Sequence, residues 1–364
     1  MTTLTVDLGS RSYPIFIAQG LMSSLAETLA QLEVNGQVGL VSTAHIFDLY
    51  GGVVESALTI AGSQVTTALV PDGEPAKTLA TVSTLYDTFL GAGLDRSSTL
   101  VALGGGVVGD LTGFVAATLF RGIPFVQIPT TLLAMVDASI GGKTGVNHRH
   151  GKNLIGAMHQ PKAVIIDPNL VKSLPRGELT SAFAEILKAG AIADGGFFHH
   201  LAANIEAIID LADMPLLEEA ITKACRIKAQ VVSTDELEGD QRRILNFGHT
   251  LGHALEAALG YGTLRHGEAV AMGMVGAGYL STLITGFPPG ELNLLTAAVE
   301  RLDLPKLPPV DPQTVLTFLH RDKKVRHGVP HFVLLKSLGR PVVSSQVTDD
   351  QILAALDNLQ QRFA

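Results

Sequence analysis

The chain has 364 residues, 46% hydrophobic and 16% charged, with a formal net charge of −8. That length exceeds what one hydrophobic core usually serves, so two domains are expected, and the composition is that of a folded chain rather than a disordered one. The acidic balance argues against a sequence-independent grip on nucleic acid, and no apolar run reaches the roughly 20 residues that span a bilayer, so neither is an expected partner.

At the amino terminus, Met1 to Asp7 lacks the basic start and apolar stretch of a signal peptide. A lone cysteine, Cys225, cannot form an internal disulfide, and a cytoplasmic location is the expectation. Residues 38–42, 64–70, 99–103, 125–129 and 163–167 read as short buried strands, bounded by glycine, proline or aspartate. Between them, 76–91 and 107–120 have helical spacing. Alternating βα units predict a Rossmann-like α/β domain with a mostly parallel sheet over residues 1–175. From about Leu174 the texture changes to alanine- and leucine-rich stretches at 177–193, 197–211, 215–234, 246–259 and 267–283, each with helical apolar spacing. Pro288, Pro289, Pro305, Pro308 and Pro309 interrupt the pattern before a last helix at 349–362. An all-α second domain over 176–364 follows, with an active site expected in the cleft between the two domains.

Residues 100–110 read as a strand, then Gly104-Gly105-Gly106-Val107-Val108-Gly109-Asp110, then a helix. Glycines there let a backbone approach a diphosphate, and the helix start offers free N–H groups and a positive dipole end. Gly104, Gly106 and Gly109 satisfy the dinucleotide spacing. Against it, the segment is not in the first βα unit, and no acidic residue follows about 20 positions on to hold a ribose. A phosphate loop and a tight structural turn both stay open. Pro71-Asp72-Gly73-Glu74, with Lys77 behind, is a second candidate: Glu74 suits ribose hydroxyls, and a turn with a helix cap is the simpler alternative.

Pro129-Thr130-Thr131 ends a strand, Asp137 follows, and then come Gly141-Gly142-Lys143-Thr144-Gly145-Val146-Asn147 and Gly151-Lys152-Asn153. The Gly-Lys-Thr triplet is no P-loop, because the first glycine of that spacing falls on Asp137. A glycine-rich loop with two lysines and an asparagine suits a phosphate or carboxylate, and solvated surface lysines are the alternative. Further on, His249 and His253 share a helix face within Asn246-Phe247-Gly248-His249-Thr250-Leu251-Gly252-His253-Ala254-Leu255-Glu256. His266-Gly267-Glu268 and Ala184-Glu185-Ile186-Leu187-Lys188 supply another histidine and a carboxylate. Histidines plus a carboxylate with an open position make a catalytic zinc site, and spacing alone nominates His249 with His253. Any one of these histidines fits a satisfied buried side chain equally well; the cluster with Glu185 favours a metal.

Taken together, these stretches resemble the 3-dehydroquinate synthase family, in order from about Pro71 to Lys324. The resemblance implies an NAD-binding α/β domain, a helical metal-binding domain and a homodimer. It implies one divalent metal, zinc or cobalt, on Glu185, His249 and His266, which moves His253 from the metal to the substrate and proton-handling set. NAD contacts are implied at Asp72, Gly73, Glu74, Lys77, Gly105, Gly106, Val107, Val108, Gly109, Asp110, Thr130, Thr131, Lys143, Lys152, Leu170, Val171, Lys172 and Ser173. Catalytic positions are implied at Lys152, Asn153, Lys188, Lys228, Arg242, Asn246 and His253, and substrate contacts at Arg121, Asp137, Lys143, Glu238 and Lys324. Ala138 and Ala182 depart from the serine and glycine expected there, without removing a charge.

The resemblance further implies 3-deoxy-D-arabino-heptulosonate 7-phosphate as substrate, on the shikimate pathway. Its C5 alcohol is oxidised at the expense of NAD, phosphate leaves by β-elimination, the ketone is reduced again, and the enol closes as a carbocycle. Related cyclases making inosose or valiolone products, and metal-dependent polyol dehydrogenases with net redox, are the alternatives. Those cyclases alter substrate-binding positions, whereas Lys228, Arg242, Asn246 and His253 stand here as in the dehydroquinate branch.

Overall fold

Short β-branched runs become the strands of one seven-stranded sheet in the computed structural model, which describes residues 1–260, 262–321 and 330–364. In chain order the strands of the first half are β1 (Thr2–Val6), β2 (Tyr13–Ile17), β3 (Gly36–Thr43), β4 (Ser63–Val70), β5 (Thr99–Gly104), β6 (Phe125–Pro129), β7 (Lys143–His148), β8 (Gly151–Met158) and β9 (Ala163–Ile166). The sheet runs β1-β2-β9-β6-β5-β3-β4 and is parallel except where β1 meets β2, while β7 and β8 pair separately as an antiparallel hairpin. Helices α1 (Leu25–Gln31) and α2 (Gly52–Ile60) cover one face, and α3 (Leu79–Gly91) and α4 (Gly106–Thr118) the other. Strand β5 shows why both faces are apolar: Val101 and Leu103 enter the core under α1 and α2, whereas Leu100 and Ala102 enter the core under α3 and α4.

Strand β3 has β4 on one side and β5 on the other, so the winding reverses between β3 and β5. In open parallel sheets the crevice outside the carboxyl ends at such a reversal is where ligands bind. The glycine segment after β5 lies at this point. Its absence from the first βα unit, an objection in the sequence, is thereby removed.

After β9 the chain forms α5 (Arg176–Ala193), α6 (Gly195–Ala203), α7 (Met214–Thr234), α8 (His249–Leu259), α9 (His266–Ile284), α10 (Pro289–Glu300) and α11 (Pro312–Arg321). An antiparallel hairpin, β10 (Phe332–Ser337) with β11 (Arg340–Ser344), and α12 (Asp349–Phe363) complete it. Two compact units result, residues 1–174 with 217–237, and 175–216 with 238–364. A single boundary near 175 is therefore too simple, because most of α7 belongs to the first unit. Cys225 Sγ donates to the Met135 carbonyl, Lys228 bonds Asp137, and Glu218 accepts from Gln19, all within that unit.

Nor is the second unit all-α, since β10 buries Phe332 to Leu335 and Gly339, at φ 81°, turns the chain into β11. Proline was read only as a breaker, yet Pro289 and Pro312 open α10 and α11, where the missing N–H would be unbonded anyway. Helix α9 is apolar on all sides and long enough to cross a membrane by composition; here it is the buried core helix of the second unit.

Candidate active site

In the first unit the nominated stretches follow carboxyl ends of parallel strands: 71–77 after β4, 105–110 after β5, 130–131 after β6 and 170–173 beyond β9. Gly105 is extended, and α4 starts at Gly106, so one residue joins strand to helix and the helix N–H groups open at the crevice. Gly104 and Gly109 are also required by packing. A Cβ on Gly104 would stand 2.7 Å from Val108 Cγ2, and one on Gly109 would stand 2.7 Å from Gln127 Oε1. Val108 is buried beneath the segment and Val107 half-buried. Thr130 is fully buried with its N–H on the Gly104 carbonyl at 3.0 Å, and its Oγ1 has no hydrogen-bond partner among the described residues. An orphaned hydroxyl is rare in a folded interior, and beside this helix start it fits a polar ligand. Thr131 instead caps the next turn by accepting from Ala134 N at 3.2 Å. Leu170 and Val171 are core side chains, while Lys172 and Ser173 are exposed.

Charge gathers beside this segment. Lys77 is buried, and its ammonium donates to Asp110 and to Asn153 Oδ1. Loss of water pushes the Asp110 carboxyl up from 3.8 to about 6 against the pull of Lys77, with Glu74 and Asp137 pushing the same way as burial. Glu74 accepts from Asn147 Nδ2 at 2.7 Å, and Asp72 and Gly73 are exposed beside it, Gly73 at φ 84°. From α7, Lys228 donates to both the carbonyl and the carboxylate of Asp137, which lies in a single π turn, Ala134–Ala138.

The cationic segment is not a loop. It is the β7–β8 hairpin, packed on α4 where Gly113 leaves room for Thr144. Gly145 and Gly156 are glycines because the strands pass closely, a Cβ on Gly145 standing only 2.5 Å from the Ile155 carbonyl oxygen. Lys143 and Lys152 are exposed on the hairpin, and Asn153 sits at φ 53°. Arg121 is not brought to this group. It follows the last turn of α4, at the amino end of β6, about 20 Å along the helix from Gly106 at 1.5 Å per residue.

In the second unit, small residues bring three helices together. A Cβ on Gly273 of α9 would stand 2.0 Å from the carbonyl oxygen of Gly248, which precedes α8. Gly267 N donates to Ser181 Oγ of α5 at 3.0 Å, one turn before Glu185 on the same face. These contacts set His249, His253, His266 and Glu185 side by side. The three histidines offer nitrogen atoms all within 4.8 Å of one another. Glu185 is buried and gives one oxygen to Lys188. Its other oxygen, Oε1, accepts no hydrogen bond among the described residues and faces His249 Nε2 at 3.5 Å and His266 Nε2 at 3.7 Å. A bare buried carboxylate oxygen opposite two imidazole nitrogens, with a third imidazole adjacent, suits a divalent cation.

Each of those two rings is held from behind. His249 Nδ1 lies 3.2 Å from the Phe247 carbonyl, and His266 Nδ1 lies 3.4 Å from Glu256 Oε2. Glu256 stands in the quoted motif without a role; its place on the face of His249 and His253, three residues after the latter, is the signal for it. Glu268, by contrast, is a helix cap, accepting from Arg265 N at 2.7 Å and pairing with the Arg265 guanidinium. Asn246 donates to Glu238, itself at φ 59°, at 3.2 Å, and Arg242 is buried nearby in sequence. Lys324 lies outside the described residues.

Known proteins match this chain along nearly its whole length. Residues 67–181 match the family model described as 3-dehydroquinate synthase N-terminal, and residues 182–325 the one described as 3-dehydroquinate synthase C-terminal. The 3-dehydroquinate synthase of Microcystis aeruginosa (strain NIES-843 / IAM M-2473) is 47% identical over 348 residues, 95% of each chain. Among solved structures, 2-epi-5-epi-valiolone synthase from Streptomyces hygroscopicus subsp. jinggangensis 5008, with NAD+ and Zn2+ bound, superposes with a TM-score of 0.88 at 29% identity, covering 98% of this chain and 99% of that one. A 2-deoxy-scyllo-inosose synthase complexed with carbaglucose-6-phosphate, NAD+ and Co2+ also reaches 0.88, at 25% identity and 99% of both chains. Consecutive matches to both halves, with a relative of that kind at near-complete coverage, decide the lineage: the chain belongs to the 3-dehydroquinate synthase family.

Proposed function

We propose that this chain converts 3-deoxy-D-arabino-heptulosonate 7-phosphate to 3-dehydroquinate and inorganic phosphate, with NAD reduced and then reoxidised in the same turnover and one divalent metal, zinc or cobalt. The observation that carries this is the family match across both units, borne by a chain whose described site keeps its charged groups. The relatives at 46–47% identity bear the dehydroquinate name, whereas the valiolone and inosose cyclases stand at 29% and 25%.

Bound NAD supplies a hydride acceptor and donor, and a bound divalent cation supplies Lewis acidity toward the substrate's C4 and C5 hydroxyls. The residues of the chain supply the rest. The α4 start and Thr130 Oγ1 receive polar groups of the nucleotide, with Glu74 accepting from ribose hydroxyls. Glu185, His249 and His266 hold the cation, which fits the two Nε2 atoms that Glu185 Oε1 faces. His253 and Asn246 orient and relay the proton of the C5 hydroxyl. Lys152, Asn153, Lys143, Lys188, Lys228 and Arg242 bind the phosphate and carboxylate and fix the geometry for elimination. The enzyme is proposed to act as a cytoplasmic homodimer; a single cysteine, which cannot form an internal disulfide, fits a reducing compartment.

Incubation with the heptulosonate phosphate and catalytic NAD tests this, following phosphate release and NADH absorbance together. Stoichiometric phosphate with no net NADH is expected. No phosphate, or dinucleotide consumed mole for mole, overturns the proposal.

A further inference from the structure

The β7–β8 ladder is irregular at one place. Val146 pairs with Ile155 and the next pair is His148 with Gly151, so one residue of β7, Asn147, faces Lys152, Asn153 and Leu154 of β8. Such a bulge takes a residue out of the ladder and re-aims it. The polar groups freed at Asn147 go elsewhere. Its backbone N–H donates to the Lys77 carbonyl at 2.8 Å, its side-chain Nδ2 donates to Glu74 Oε1 at 2.7 Å, and its Oδ1 accepts from Asn153 N at 2.9 Å. Asn153 in turn accepts from the buried Lys77 ammonium. One amide thus ties the segment after β4, which carries Glu74 and Lys77, to the arch of β8 that carries Lys152 and Asn153.

We propose that Asn147 is a positioning residue for nucleotide binding: it holds Glu74 through Oε1, leaving Oε2 to accept from a ribose hydroxyl, and registers the Lys152–Asn153 arch against the same segment. This rests on the NAD reading above. The side-chain chemistry is specific. The amide uses two separate atoms for the two bonds, Nδ2 donating to the carboxylate and Oδ1 accepting from the backbone N–H. A carboxylate left to rotate must be ordered when the nucleotide binds, and that ordering is lost affinity.

Asn147→Asp isolates the bond to Glu74. It keeps the size and the acceptor for Asn153 N but removes the donor and sets two carboxylates together. The dissociation constant of NAD is measured by calorimetry for the wild type, N147D, E74A and the double variant, with thermal melts as the folding control. N147D is expected to weaken NAD binding about tenfold or more in the wild-type background and by less than about twofold beside E74A, the non-additivity of two residues acting as one. Equal fold losses in both backgrounds would show a merely structural role and overturn the proposal, as would unchanged NAD binding in N147D or in E74A. Absence of NAD binding by the wild type would instead overturn the functional reading on which it stands. Should N147D melt early, Asn147→Ser carries the same cycle.

Discussion

The two units differ in how far their polar groups satisfy one another. In the first, Lys77, Asp110, Asn153, Asn147 and Glu74 close on each other, and Lys228 closes on Asp137. An incoming anion must exchange those bonds for its own, so net affinity there comes from geometry more than from bare charge. In the second, Glu185 Oε1 stays bare and buried, opposite the Nε2 atoms of His249 and His266. A cation held there would give that oxygen a partner without taking one from another described residue.

The sharpest way to break this comparison is His249→Ala. It is expected to abolish zinc binding and reduce phosphate release to background. Zinc at 1,000-fold its dissociation constant should stabilise the wild type by about 4 kcal/mol and the variant by none. Thermal melts with and without zinc check this, and a variant that still gains stability from zinc refutes the site. Glu185→Ala comes next. In metal-free protein it strands Lys188, a buried ammonium, at an expected cost of about 3–5 kcal/mol. Urea unfolding should show the E185A/K188M pair to be more stable than E185A alone; an additive pair would mean the two charges are not coupled. A smaller effect belongs to the hairpin. Lys152 is exposed, so Lys152→Ala should leave stability within about 0.5 kcal/mol. Loss of a charged contact to substrate should cost about 2–3 kcal/mol in kcat/KM. A near-normal kcat/KM would remove Lys152 from the site.

Legibility in the sequence followed the same divide. Buried parallel strands and the glycine connector announce themselves locally, through β-branched runs and a turn that only glycine fits, so β3, β4, β5, β6 and β9 were readable. The β7–β8 hairpin was not. Its alternation is broken by Gly145 and Gly156, which serve a close strand contact, and so it looked like a loop. The return of α7 to the first unit is decided by long-range bonds such as Cys225 to Met135, which no local pattern records. In the second unit, His249 and His253 were visible as a helix pair, and spacing alone nominated His253 as the metal-binding partner of His249. The choice of His266 came from the family. What brings His266 within 3.7 Å of Glu185 is the approach of Gly267 to Ser181, a tertiary event.

The titration of Asp110 sharpens the comparison most, because it reads the first unit's closed network through one proton. Asp110 has its carboxyl raised from 3.8 to about 6, first by loss of water and then by Glu74 and Asp137, with Lys77 opposing. Between about pH 4 and pH 6 the folded chain therefore holds a proton that the unfolded chain has released. Stability contributed by this group is fully present below the lower value and is lost as pH rises through the upper one. Unfolding free energies of metal-free protein between pH 4 and 7 should show that decline in the wild type, and Asp110→Asn should flatten it. Parallel curves would mean that Asp110 titrates alike in both states. Glu74→Gln should move the decline to lower pH, because it removes one of the charges that raise Asp110 while Lys77 stays. A window unmoved by E74Q would leave burial and Asp137 as the causes, and the carboxylates of the segment after β4 and of α4 would then not sense each other across Lys77.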